Sequence, residues 1–140
     1  MANSLKVLQR IKKMELDEQR RVLMNKLEAQ DNCNKQLKNL IETYEAEKKF
    51  AEKNPLLGNF GAYTKSYLKK KRLLEQQIEA LEKEIAAIRD VMSDMFKEQK
   101  TYSIIDELRQ KAEQKELNAA EQKMLDEIGT NAYIKKHQTD

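Results

Sequence analysis

His137 is the only histidine and Cys33 the only cysteine in this chain of 140 residues. Catalysis needs convergent groups with tuned proton affinities in a sheltered pocket, and His137 lies in a polar C-terminal stretch. No Cys/His cluster has metal-ligand spacing. No Gly-rich loop is available to cradle a phosphate. Carboxylate pairs do occur at helical spacing, Glu75 with Glu79 and Glu113 with Glu116, but 36% of the residues are charged. At that density the pairs read as solvated helix faces. The sequence therefore offers no catalytic residue, no metal site and no cofactor site, and an enzyme is not expected.

The charge run with the most chemical content is Lys69, Lys70, Lys71 and Arg72, near Lys65 and beside Tyr63 and Tyr67. Basic groups with aromatic neighbours can contact phosphates and stack bases. The plainer reading is a solvated basic stretch whose tyrosines cover the end of an apolar seam. Acidic residues resume at Glu75 and the run spans only two helical turns, so nucleic acid is not an expected partner. With one cysteine no intramolecular disulfide can form, which fits a reducing compartment.

The element beneath these residues is set by an apolar rhythm. Stepping alternately four and three residues from Phe60 gives Thr64, Tyr67, Lys71, Leu74, Ile78, Leu81, Ile85, Ile88, Met92, Met95, Gln99 and Tyr102. Ten of these thirteen positions are apolar or aromatic. Spacing that averages 3.5 residues keeps one seam of an α-helix facing a partner helix. A stripe so narrow must be covered by another helix.

The first half supplies that helix, from about Ser4 to Lys53. Its seam runs Leu16, Arg20, Leu23, Leu27, Gln30, Asn34, Leu37, Ile41 and Tyr44. Gln30 and Asn34 either fix the register as buried polar positions, or the seam drifts there toward Cys33. Leu5 and Leu8 fall slightly out of phase with Leu16, so the opening turns are expected to face something else. Between the helices, residues 54–61 read Asn-Pro-Leu-Leu-Gly-Asn-Phe-Gly. Pro55 and the glycines break the helix there and allow the chain to reverse.

The fold class expected is all-α: one domain, a long antiparallel two-helix coiled coil with an overhanging C-terminal helical arm. The second helix is expected over about 62–128. A break within 103–118, with Asn118 and Glu121 as a capping box, and an uninterrupted helix both fit the residues. Gly129 is the expected stop, and 129–140 the expected tail. Three glycines, one proline and no tryptophan give little turn chemistry and little bulky core. The net charge of +3 comes from interspersed signs. No apolar run approaches the ~20 residues that span a bilayer, and no signal-peptide core is present, so a cytoplasmic protein is expected.

The residues also resemble a known family. The opening Ser4-Leu5 with Leu16-Asp17-Glu18-Gln19-Arg20-Arg21 begins the likeness, followed by Gln36-Leu37 and Leu40-Ile41 leading to Tyr44. It continues through Asn54-Pro55, Tyr63 and Leu74 to Met95-Phe96-Lys97-Glu98-Gln99-Lys100, then Glu121-Gln122-Lys123 and Asp126-Glu127-Ile128-Gly129. In order, spacing and length the chain resembles the FliJ family of the bacterial flagellar type III export apparatus, particularly its alphaproteobacterial branch. It departs in lacking the tryptophans that many relatives carry in the second helix, and in having Lys70 where enterobacterial members have phenylalanine.

The resemblance implies a coiled coil similar to the stalk subunit of rotary ATPases. It implies three partners: the flagellar export ATPase ring, the cytoplasmic domain of the export gate, and export chaperones. Association with the inner face of the membrane would then run only through those partners. The ATPase-binding residues expected are Leu5, Leu8 and Ile11 on the first helix with Leu108, Leu117, Met124 and Ile128 on the second. The gate-binding residues expected are Gln36, Leu40, Tyr44, Tyr67, Leu74 and Ile78. A free-standing coiled-coil chaperone or scaffold is the competing reading.

Overall fold

A computed structural model describes residues 2–138, and among them there are two helices and no strand. Helix α1 is Ala2–Lys53 and helix α2 is Phe60–Gln138. The expected tail is helical as far as it is described, and Thr139 and Asp140 lie outside the described residues. The chain divides into two compact units. One comprises residues 11–96 and the other joins residues 1–10 with 97–140.

Within 11–96 the two helices form an antiparallel hairpin, as contacts between them record. The Arg20 guanidinium lies 5.5 Å from the centre of the Phe96 ring. The Lys26 ammonium meets a Glu84 carboxylate oxygen at 2.9 Å. The Cys33 thiol donates to Gln77 Oε1 at 3.8 Å, and the hydroxyls of Tyr44 and Thr64 share a hydrogen bond of 3.3 Å. As α1 advances from 20 to 44, its partners retreat from 96 to 64.

The chain reverses through residues 54–59. The Asn54 carbonyl accepts from the Leu57 N–H at 3.1 Å, closing a turn with Pro55 at its second position, where the fixed proline φ fits. Gly58 follows at φ +95°, a conformation that side chains oppose. Asn59 then caps α2, its Oδ1 accepting from the Ala62 N–H at 3.3 Å. Because Asn59 is the cap, α2 starts at Phe60, two residues before the expected Ala62, and Gly61 sits in its first turn.

The seam of α2 is the one the spacing predicts. All thirteen positions from Phe60 to Tyr102 are buried or half-buried, and every other residue of that stretch is exposed. The seam of α1 departs from expectation at two places. Arg20 and Asn34 are exposed, and Gln19 and Cys33 take their places, so the drift toward Cys33 is what occurs. Leu5 is buried within the other unit, with 8% of its surface exposed. In the 11–96 unit Lys12 is half-buried, and its ammonium meets Glu15 at 3.5 Å.

In the unit joining 1–10 with 97–140, Leu5 is buried, Leu8, Tyr102 and Ile105 are half-buried, and every residue from Glu107 to His137 is exposed. That last stretch is the helical arm. It contains neither the possible break nor the expected stop. Asn118 does not cap a helix, because its Oδ1 accepts from Gln114 Nε2, one turn earlier, at 3.0 Å. Gly129 lies inside α2 without a positive φ. A glycine there costs only about 1 kcal/mol relative to alanine, too little alone to end a helix.

Candidate binding surfaces

A coiled coil spends its apolar seam on itself, so its binding surfaces are what the seam leaves uncovered. Two such surfaces exist among the described residues, one in each unit.

The first is the arm. A helix turns about 100° per residue, and an unbroken helix fixes where each side chain faces. Leu117, Ala120, Met124 and Ile128 share one side of it. Leu108 stands nine residues before Leu117, about 180° away around the axis. The four anchors expected in the arm are all exposed, yet they occupy opposite sides. Leu125, Tyr133 and Ile134 are exposed apolar residues in the same arm that the sequence reading passed over. Their signal was present in their type, but they sit off any single 3-4 rhythm.

The expected partners of these anchors on α1 fare differently. Leu5 is buried and Leu8 half-buried within their own unit, so neither presents a free face. Ile11 is exposed and belongs to the 11–96 unit, where it lines a shallow apolar groove with Met14, Glu15, Glu18, Gln19 and Met95. The basic residues beside it are compensated along the helix. Arg20 pairs with Asp17 at 3.2 Å and Arg21 holds Glu18 through bonds of 2.6 and 3.2 Å. The Arg21 hydrogen bonds hold the Glu18 carboxyl below the usual carboxylate range, and the same bonds raise Arg21.

The second surface is the turn end of the hairpin. Tyr44 is its hub, with its ring 3.9 Å from that of Tyr67 and nearly parallel to it, and stacked also on Phe60 and Tyr63 at 5.6 and 6.1 Å. Stacked aromatic pairs stabilise beyond their buried area, and four rings together stiffen this end. Of the expected gate-binding residues, Tyr67 is buried, Leu40, Tyr44, Leu74 and Ile78 are half-buried in the seam, and only Gln36 is exposed. The residues that do project here are Phe50, Leu56, Leu57, Tyr63 and Leu68. Leu56 and Leu57 had been legible only as part of a connector.

Neither surface is built for chemistry. Among the described residues no group of three or more His, Cys, Asp or Glu could hold a metal ion, and His137 packs edge-on against Tyr133 at 4.1 Å on an exposed helix. Long paired helices, an exposed arm and a turn end braced by aromatic rings suit a part that connects other proteins. Comparison with family models agrees: the model described as "Flagellar FliJ protein" matches residues 1–138. The chain belongs to the FliJ family. Comparison with curated proteins and with solved structures gives no match. FliJ proteins serve the flagellar export apparatus, which assigns this chain to that apparatus. Among the described residues no helix is long and apolar enough to cross a membrane.

Proposed function

We propose that this FliJ-family chain is a stalk and adaptor of the export apparatus. It engages the ring of the export ATPase, the cytoplasmic domain of the export gate and, in transit, export chaperones. It works in the cytoplasm and reaches the membrane face through those partners. The observation that carries this reading is the arm from Glu107 to His137, helical and exposed throughout, with Leu108 on one side and Leu117, Met124 and Ile128 on the other. A groove-binding helix concentrates its apolar anchors on one side. Anchors on opposite sides fit a helix that is surrounded, as the central opening of a ring would surround it. Leu5 and Leu8 then support the base of the arm, and the rings around Tyr44 brace the end offered to the gate.

The test is stimulation of the purified cognate ATPase by the full chain. Leu117→Asp with Met124→Asp removes two anchors on one side, and Leu108→Asp removes the anchor on the other. Burying one aliphatic side chain contributes roughly 1.5–3 kcal/mol, and tenfold in affinity is about 1.4 kcal/mol. Each variant should therefore weaken half-maximal stimulation at least about tenfold, while far-ultraviolet circular dichroism shows the helices intact. Undiminished stimulation in both variants would refute the arm as the ATPase contact. Loss in the Leu117/Met124 variant alone would indicate a one-sided groove instead of a ring. Capture of unfolded chains by the arm, without any effect on ATPase, would favour the free-standing chaperone.

A further inference from the structure

The turn end of the hairpin carries a charge imbalance found nowhere else in the chain. Residues 48–72 contain eight basic residues, Lys48, Lys49, Lys53, Lys65, Lys69, Lys70, Lys71 and Arg72, against one acidic residue, Glu52. The local net charge is +7 in a chain whose total is +3. Elsewhere some basic groups are met by acids one turn away, as Lys12, Arg20, Arg21 and Lys35 are. Here only Lys71 is, at 3.9 Å from Glu75, and it is the one half-buried member of the set. The other seven are exposed.

At the centre of this charge stands an apolar point. Leu56 is 97% exposed and Leu57 64%, side by side on the turn that Pro55 and Gly58 shape. Phe50 and Leu68 are exposed on the two helices leading from it. On α2, Lys65, Leu68, Lys69 and Arg72 recur at the spacing that places residues on one flank of a helix.

From this arrangement we propose that the turn end docks directly on an anionic lipid surface. Leu56 and Leu57 enter the boundary between headgroups and acyl chains, and Lys48, Lys49, Lys53 and Lys65, the basic residues nearest the turn, lie against lipid phosphates. Three observations favour this occupant over other polyanions. The apolar pair protrudes on a turn, so it suits a fluid surface that closes around it. Base stacking would require free aromatic faces, and four of the five rings here, Tyr44, Phe60, Tyr63 and Tyr67, are stacked on one another, which leaves Phe50 alone outside the stack. Lys53 and Lys65 lie within about 8 Å of the ends of their helices along the axis, one screening length at physiological salt. Two leucines alone hold a membrane weakly, so attachment is reversible and needs both signals. The proposal adds a direct lipid contact to the adaptor reading, in which the membrane face is reached through partners, and it does not depend on that reading, since a bare vesicle contains neither gate nor ATPase.

The experiment is cosedimentation of the full-length chain with phosphatidylcholine vesicles with and without phosphatidylglycerol, over a range of salt. Binding is expected only to the phosphatidylglycerol vesicles and should fall as salt rises. Each lysine or arginine near such a surface contributes about fivefold in affinity, so Lys53→Glu with Lys65→Glu should abolish binding. Lys38→Glu, outside the patch, should leave it largely intact. Insertion is read separately. The chain has no tryptophan, so Leu57→Trp reports alone, and its emission should move to shorter wavelength on the anionic vesicles. Three results would overturn the proposal: equal binding to neutral vesicles, binding without an emission shift, or a preference for single-stranded DNA or polyglutamate over the vesicles. The last would mark the patch as a site for nucleic acid or an acidic protein.

Discussion

Ile85 and Glu84 are neighbours with opposite environments, and the contrast measures the seam. Ile85 is buried in the middle of the hairpin, while Glu84 reaches across to Lys26 with about half of its side chain exposed. Truncating a buried isoleucine costs about 2–5 kcal/mol, and an unpaired carboxylate in its place adds a desolvation penalty. Ile85→Asp should therefore unfold much of the hairpin. Removing a solvent-exposed ion pair costs only about 0–1 kcal/mol, so Glu84→Ala should leave the melting curve nearly unchanged. Thermal melts followed by circular dichroism check both, and equal loss in the two variants would refute the phase of the seam. The positions of α2 could be read from the sequence because ten of thirteen are apolar and never change phase. Those of α1 were partly hidden. Its seam is completed by Lys12, Gln19, Lys26, Gln30 and Cys33, side chains that cover apolar surface with their stems while carrying polar ends.

At the scale of the element, α2 is one helix with two kinds of stability. Through Tyr102 its half-buried seam is held by α1, whereas every residue from Glu107 to His137 is exposed and short-range side-chain pairs link successive turns. Gln110 with Asp106, Gln114 with Asn118 and Gln122 with Asp126 are such pairs, at 3.3, 3.0 and 3.1 Å. Helices without tertiary packing are marginal in water, so amide exchange between 107 and 137 should be much faster than between 74 and 92. Gly129→Ala should raise the helix content of the arm, because the site is open around a new Cβ and the exchange gains about 1 kcal/mol. Protection of the arm equal to that of the seam would mean that a partner covers it. The sequence left this element undecided for a physical reason. Apolar residues that change sides between Leu108 and Leu117 read equally as a broken helix or as a continuous one with two faces.

For the whole molecule, the decisive question is whether α1 and α2 pair within one chain or between two copies. The turn argues for one chain. Pro55 in its turn, Gly58 at positive φ and the Asn59 cap each specify reversal, and a swapped dimer would have to open all three. Reversal was readable from Pro55 and the glycines, and so was the antiparallel register, because positions equidistant from the turn must oppose each other. The turn's exposed leucines carried no such signal, since an apolar residue in a connector is distinguishable from a buried one only after folding. The pairing is testable through that register. With Arg20 beside Phe96 and Lys26 beside Glu84, Leu23 should lie opposite Ile88. A chain carrying Cys33→Ser, Leu23→Cys and Ile88→Cys should form its disulfide internally on oxidation. It should then run as a monomer on a non-reducing gel at every protein concentration. Cys33→Ser is needed because the native thiol lies on the same seam and would compete. A dimeric product whose share grows with concentration would reverse the conclusion, and the arm would then have to be read as one of a pair.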